Sequence, residues 1–598
     1  MRLLLFLLKC VVGILATLGL LVVAVALVLG LAWRNVESWK SAEVGQPDNA
    51  VLVLDLAKGL TDGPPGPAAT FGGLTGETNL RRLVLGLEAA ADDPRVGGLL
   101  LRLGAGELSM ARAQQLRRAV LAFRKSGKPV QAFAASFGEG GDGTLHYYLA
   151  AAADRITLQP SGNLDLVGFT LDQPYARALL DEWDVKARIY RREEYKGAAE
   201  PLTFEEMTQP VRENLQGLLD SWLGQLTADV ARDRGLTQAA VRGLVDGGPY
   251  LPAEALKDRL VDALGYRDEA EAAILKAAGS GAELEPVRDY LSARGDGGSE
   301  DGLPRIAVIY GQGPVTLGES GDGSPFGGLS MGADTVSEAF REAAADPTVR
   351  AILFRVDSPG GSYAASDTIW RAVRQAKEAG KPVVVSMGAL AASGGYFVSA
   401  AADRIIAEPG TITGSIGVVS GKILTAGLWH DLGVNWSGVQ AGANAGFWDS
   451  TRDFTPQQWA RFTGFVDAAY ADFVGKVASG RKLSVAEAEA VAGGRVWSGA
   501  DAAQHGLVDG LGGYRAAIDA ARELAGLPRD SEVALVDYPK AGNRLERLLR
   551  RFLSDSLLAT RVAGLLRASG LLPPLTQAAG EAQLLSQDPR ANLLRAVR

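Results

Sequence analysis

Short apolar runs alternate with amphipathic stretches along most of this chain, and the alternation is played twice. Residues 51–56 (VLVLDL) and 97–103 (GGLLLRL) are compact apolar runs bounded by Gly, Pro or Asp, the pattern of buried strands. Residues 110–125 (MARAQQLRRAVLAFRK) carry apolar positions at helical spacing, and Gly127 with Pro129 stops the helix before a strand at 129–134. The second half repeats the series: strands at 305–310 and 350–356, a helix at 363–378, a strand at 382–386. Strand, helix, strand in that order implies right-handed crossovers and a parallel sheet, so each half is expected to be α/β. Each half then runs into a helix-rich stretch, near 203–235 and 455–480, and a small module ending on an LVD phrase.

The two halves also share wording. DPRVGGLLLRLGAG, from Asp93, is answered by DPTVRAILFRVDSPGG, from Asp346. The stretch from Lys128 to AAADRI is answered by the one from Lys381, and RLVDALGY by GLVDGLGGY. Three matched phrases at an offset of about 250 residues indicate tandem duplication. The expected organisation is an N-terminal segment 1–45, a first repeat 46–290, a linker 291–304, a second repeat 305–540 and a tail 541–598. Counting back from AAADRI sets Ser393 opposite Thr144, whereas Lys196 falls opposite Asn444–Ala445. The copies have kept different chemistry, which suggests one active site drawing on both.

The ends differ from the repeats. Val11–Trp33 is 23 residues without a charge, long enough to span a hydrocarbon core of about 30 Å. Arg2 and Lys9 precede it and a mixed stretch follows, a bias toward a cytoplasmic N-terminus and an exported body. The segment reads as an uncleaved anchor; a cleaved signal peptide is the alternative. The tail carries RLERLLRRFL and LLATRVAGLLRAS, basic and amphipathic, suited to helices packed on protein or to an anionic membrane surface. The net charge of -8 argues against a nucleic-acid partner. Cys10 is the sole cysteine, so intrachain disulfides are impossible and Cys-based chemistry is disfavoured. No HExxH, GK[ST] or strand-linked GxGxxG occurs, so no metal, nucleotide or other cofactor is expected.

Three places could carry chemistry. Ser393, in A-A-S-G-G-Y, follows an apolar strand and precedes a helical run, with Gly394 and Gly395 allowing close backbone approach. A nucleophile beside oxyanion-binding amides fits this turn; a serine capping a buried helix fits it too. Asp357–Gly361 (DSPGG) ends a strand and can aim N–H groups into a cleft, whereas the first copy has LGAG there. An ordinary strand-to-helix turn, or a cradle for a thioester or phosphate, would look the same. Lys196, in E-E-Y-K-G-A-A-E-P, could replace histidine as a base only if burial lowered its pKa by about three units from about 10.4. Glu193, Glu194 and Glu200 would oppose that if they pointed inward. The histidines are only His146, His430 and His505, and none sits in a pattern pairing it with an aspartate.

Together, RVDSPGGS (355–362), KPVVVSMGALAASGGYFVSAAADRI (381–405), PGTITGSIGV (409–418) and YKGAAEPLT (195–203) resemble the bacterial signal peptide peptidase A, or protease IV, family in its long, duplicated, membrane-anchored form. The resemblance implies a tandem ClpP/crotonase-like fold and a Ser–Lys dyad. Ser393 matches the nucleophile, Lys196 the general base, and Ser415 the serine that orients the lysine. Gly361 and Gly394 match the oxyanion hole, with Gly360 and Gly361 not distinguishable by sequence. It further implies a homotetramer on the outer face of the cell membrane that degrades signal-peptide remnants and other extended apolar peptides. A crotonase-like acyl-transfer enzyme and a non-catalytic membrane scaffold are the rival readings.

Overall fold

The computed structural model describes residues 47–63, 78–139, 141–294, 302–321 and 328–539. The expected anchor and the tail from 541 lie outside these residues. Among the described residues no helix is long and apolar enough to cross a membrane. The chain divides into two compact units. Among the described residues, one takes in 47–62, 78–139, 141–169 and 223–294; the other takes in Gly63, Thr170–Trp222, 302–321 and 328–539.

In the first unit six strands form one sheet, in the order Ala263–Leu264, Arg155–Leu158, Val130–Ala134, Val96–Leu103, Ala50–Asp55, Glu283–Pro286. All neighbours are parallel. Helices Leu80–Asp92 and Met110–Arg124 make the crossovers, the latter started by Ser109, whose side chain accepts from the Arg112 N–H. Leu52, Leu99, Leu101 and Ala132 have no exposed surface, the condition of strands covered on both faces.

The second unit builds the same sheet at larger size. Its strands run Val496–Ser498, Ile412–Gly414, Val383–Ala392, Val349–Ser358, Arg305–Gln312, Ala534–Tyr538, with Arg404–Ala407 also pairing Val383–Ala392. Only Ile412–Gly414 with Val496–Ser498 is antiparallel in this sheet. Helices Ala333–Ala345 and Tyr363–Glu378 cross over, and Pro456–Arg481 is started by a Thr455–Gln458 capping box with Pro456 in its first turn. Arg355 lies in the core with its charge used: Nη1 donates to Ser386 Oγ at 2.9 Å and to Met387 O at 2.8 Å, and the guanidinium sits 4.4 Å from the Tyr514 ring centroid.

The duplication extends to individual hydrogen bonds. In the first unit Asp154 accepts from Val130 N at 2.9 Å, Asp262 from Ile156 N at 2.7 Å, and Tyr147 OH donates to Leu260 O at 2.9 Å. In the second, Asp403 accepts from Val383 N at 2.9 Å, Asp509 from Ile405 N at 2.7 Å, and Tyr396 OH donates to Leu507 O at 2.9 Å. The aspartates of ADRI and LVD thus fasten strand starts whose amides would otherwise be buried without partners.

Two features depart from the sequence pattern. The compact units do not follow the repeat boundary: Thr170–Trp222, which carries Lys196, is part of the second unit. The cause is an antiparallel ribbon in which Lys186–Arg192 pairs with Val418–Leu424 over seven residues, together with Asn214, whose amide both donates to Val496 O and accepts from Val496 N at 2.8 Å. The stretch expected to be linker from Leu291 begins as the last turn of helix Val287–Arg294. Val287, Tyr290 and Leu291 are buried at helical spacing, a period invisible when the window opens at 291.

Candidate active site

Three neighbouring parallel strands of the second unit end side by side. Val349–Ser358 runs out into Pro359–Gly361, Val383–Ala392 into Ser393, and Ile412–Gly414 into Ser415. Ala392 is in register with Gly414, and Ser393 N donates to Gly414 O at 2.9 Å, so the two serines leave adjacent strands at one level. Both have positive φ, 55° at Ser393 and 51° at Ser415, a region that residues with a Cβ seldom occupy. Such backbone strain concentrates where a side chain must be aimed. Ser393 precedes the buried helix Gly394–Ser399, but its side chain makes no capping hydrogen bond, which removes the helix-cap reading.

Lys196 comes to this corner from the turn after strand Lys186–Arg192. Its Nζ lies 3.0 Å from Ser393 Oγ, 2.9 Å from Ser415 Oγ and 2.7 Å from Ser415 O. The residue is 4% exposed. Burial alone holds its pKa down to about 7. Of the acidic neighbours that threatened this arrangement, Glu194 is exposed and the other two are otherwise engaged. Glu200 is buried but accepts from Arg191 Nη1 at 2.5 Å, from Thr208 N at 3.1 Å and from the Thr208 hydroxyl. Glu193 pairs with Arg192 at 2.7 Å. Glu200 thereby ties the turn carrying Lys196 to the strand before it and to Thr208, just ahead of helix Gln209–Arg234.

The DSPGG turn packs against Ser393. Asp357 accepts from Leu390 N at 3.0 Å, locking the turn to the strand that carries Ser393. A Cβ on Gly360, where φ is +99°, would lie 2.6 Å from Gly394 N and 2.7 Å from Ser393 Cβ, so only glycine allows this approach. Gly360 N donates to Ser358 Oγ at 3.2 Å and is therefore used within the turn. Val315 forms a parallel bridge to Gly361, donating to Gly360 O and accepting from Ser362 N, both at 2.9 Å. In such a bridge the intervening residue turns its own N–H to the opposite side. The Gly361 nitrogen would stand 3.0 Å from a Cβ on Gly394. The Gly361 amide, not that of Gly360, thus faces the Ser393–Gly394 side.

The matching corner of the first unit is filled. Thr144 Oγ1 accepts from Val167 N and Gly168 N, both at 3.2 Å. His146 Nδ1 accepts from Gly104 N at 3.2 Å and Nε2 lies 3.0 Å from Gly106 O, so both ring nitrogens are used inside the turn. Counting back from the capping serines, Ser109 and Ser362, puts Glu107 and Leu108 where the second unit has Gly360 and Gly361. Of the other histidines, His430 is exposed and His505 packs its ring on Trp497 at 4.3 Å. Sequence reading missed the loop that covers Lys196, Gly493–Arg495. The double glycine was its visible signal, but nothing in the sequence tied it to a lysine about 300 residues away.

A buried lysine between two strained serines, beside an inward glycine amide, is the equipment for attack on a carbonyl. The sequence relationships agree. The profile of peptidase family S49 matches residues 122–280 and 375–528. Protease 4 of Salmonella typhi is 34% identical over 528 residues, covering 83% of this chain and 81% of that protein. Protease 4 of Haemophilus influenzae is 31% identical, covering 86% and 84%. The chloroplastic serine protease SPPA of Arabidopsis thaliana is 30% identical, covering 81% and 71%. Among solved structures, a ClpP1 mutant from Listeria monocytogenes aligns with 35% of this chain at 14% identity and a TM-score of 0.23, too low to equate the two folds. With two matched regions that fall one in each repeat, and relatives alike over most of their length, the chain belongs to peptidase family S49 and is a serine peptidase.

Proposed function

We propose that this peptidase works through a serine–lysine dyad, with Ser393 as nucleophile and Lys196 as its base. The observation that carries the reading is the 3.0 Å separation of Nζ and Oγ around an amine that burial keeps near pKa 7. A neutral amine has two N–H donors and one lone pair. The two oxygens of Ser415 can take the donors, which leaves the lone pair for the Ser393 hydroxyl proton. As Oγ attacks the scissile carbonyl, that proton passes to Nζ. The resulting ammonium gives a proton to the departing amine; the neutral lysine then takes one from the water that attacks the acyl group and returns it to Ser393 Oγ as the acid leaves. The Gly361 and Gly394 amides receive the oxyanion, at about 3–4 kcal/mol for each well-aimed donor. Ser415 is a positioning residue: it fixes the direction of the lysine lone pair.

The substrates proposed are extended apolar peptides, signal-peptide remnants foremost. Their support is the resemblance to the signal peptide peptidase A family and the apolar stretch Val11–Trp33. A body tethered to the outer face of the membrane by that stretch would meet peptides that partition into lipid. A ClpP/crotonase-like homotetramer belongs to the same proposal and has the same support.

An alkyl fluorophosphonate tests the dyad on the full-length protein in detergent. It should phosphonylate a single serine, located by mass spectrometry in the peptide containing Ser393, and Lys196→Ala should not be labelled. Labelling that persists undiminished in Ser393→Ala would overturn the assignment. His430→Ala and His505→Ala should each label within about twofold of wild type, as expected for exposed residues outside the catalytic unit of action. A tenfold loss in either would reopen a histidine base.

A further inference from the structure

We infer that the loop Gly493–Gly494–Arg495 is the positioning element of Lys196, a strap laid over the lysine backbone that sets where its amine stands. The inference rests on the dyad reading and adds to it the residues that keep the base in place.

Three backbone segments meet here. Gly493 O accepts from Tyr195 N at 3.3 Å, Gly494 N donates to Ile416 O at 2.9 Å, and Arg495 O accepts from Ser415 N at 2.6 Å. The strap therefore bonds to the residue before the lysine and to the strained serine that receives the lysine amine. Gly494 has φ of +82°, and a Cβ there would lie 2.5 Å from Lys196 N and 2.8 Å from both its Cα and its Cβ. A Cβ on Gly417 would lie 2.9 Å from Gly494 Cα and 3.2 Å from Lys196 Cδ. The Arg495 guanidinium stacks on the Tyr195 ring, 3.6 Å from its centroid. The strap is itself held from the other side by the paired hydrogen bonds of Asn214 to Val496.

The first repeat shows that the glycine pair alone does not make this device. It too has two glycines at the corresponding place, Gly247 and Gly248, but a Cβ on Gly248 would meet Leu166 O at 2.3 Å, the chain of its own repeat. In the second unit the equivalent pair closes on Lys196.

The ionisable groups on the segments packed about the lysine are Arg192, Glu193, Glu194 and Tyr195 from its own turn, Glu200 beyond it, Arg495 from the strap, and Tyr470 of helix Pro456–Arg481 beside Glu193 and Gly493. Among the described residues Nζ hydrogen-bonds to Ser393 and Ser415 alone. Excluding water is thus the strap's electrostatic contribution, and displacing it lets the amine keep its proton to higher pH.

The test is the pH profile of kcat and KM for an apolar fluorogenic peptide, using full-length wild type, Gly494→Ala, Arg495→Gln, Arg495→Lys and Ser393→Ala. Gly494→Ala should lower kcat at pH 7.5 by about 100-fold with KM within about threefold, the signature of a misplaced catalytic group. Its acid limb should move up by about one pH unit or more, so that the deficit narrows by pH 9.5. Arg495→Gln should lose about tenfold with the same upward movement, and Arg495→Lys, which keeps a cation over Tyr195, should recover part of it. If Gly494→Ala does not fold, the two Arg495 variants decide the matter. A wild-type kcat, or a fall in kcat with an unmoved acid limb, in the folded variants would overturn the inference. Ser393→Ala separates the two readings: if it still hydrolyses the peptide the dyad itself fails, and if it is inactive while the strap variants behave as wild type only the strap fails.

Discussion

Ser393→Ala and Lys196→Ala are each expected to reduce kcat by about 10⁴-fold or more, with KM changed little and the double variant no worse than either single one. In the proposed dyad nucleophile and base act as one unit, so removing either leaves the other without a task. Neither substitution threatens the fold. Ser393 Oγ makes no structural capping bond, and alanine keeps the Cβ that the strained turn already accommodates. Lys196→Ala removes a buried amine whose partners are the dyad serine and Ser415. Ser415→Ala should fall between wild type and these, about 10–100-fold down in kcat, because Ser415 O would still hold one N–H while the second lost its partner. The measurement is steady-state hydrolysis of an apolar fluorogenic peptide, with circular dichroism to establish that each variant is folded. Normal turnover by Lys196→Ala would sink the dyad, and equal losses for Ser415→Ala and Ser393→Ala would mean Ser415 does more than orient the lysine.

The parts of this molecule that were legible in its sequence are those written locally. Apolar runs bounded by Gly and Pro gave the strands at 51–56, 97–103 and 350–356 to within one or two residues, because strands covered on both faces need uninterrupted apolar runs. The helix expected at 363–378 spans Tyr363–Glu378, where Ser362 supplies the cap. Strand Val383–Ala392 ran six residues past the expected end at 386, into the small-residue segment that delivers Ser393. Gly and Ala have low strand propensity, and the pairing with Ile412–Gly414 overrides it.

What could not be read is long-range pairing. The ribbon of Lys186–Arg192 with Val418–Leu424 joins segments more than 220 residues apart, and both strands are polar and half-exposed, so no apolar run announced them. That ribbon is why Lys196 and Ser415 share one compact unit, and it is why a reading by repeats assigned the lysine to the other body. The two glycines of DSPGG illustrate the same limit on a smaller scale. Sequence marks both as permissive; only the Val315 bridge and the Ser358 hydroxyl decide which N–H is used up and which faces Ser393.

The second large effect concerns pH, and it appears in both rate and stability. The Lys196 pKa is depressed to about 7 by burial, against 10.5 for the ordinary side chain. A base must be unprotonated to act, so kcat/KM should rise through a single ionisation near pH 7 and level off above it, with activity at pH 5 about 100-fold below the plateau. Stability moves the same way for a linked reason. Between pH 7 and 10.5 the unfolded chain binds the lysine proton and the folded chain does not, so this residue favours folding more as pH rises through that window. Above the window its titration costs the fold nothing; below pH 7 the full penalty is present, on the order of 5 kcal/mol at about 1.4 kcal/mol per pKa unit. Lys196→Met, which keeps the length and loses the charge, should therefore melt above wild type at pH 6, with the gap narrowing as pH approaches 9.5, while remaining inactive at every pH. Thermal melts of both proteins across that range, beside the pH–rate profile of wild type, measure one ionisation by two routes. A wild-type acid limb near pH 7 with no pH-dependent gap in melting temperature would assign the limb to another group. A gap that widens as pH falls toward 7 and is constant below it, beside an activity limb near pH 7, would be the behaviour of a lysine kept neutral by the fold so that it can accept the serine proton.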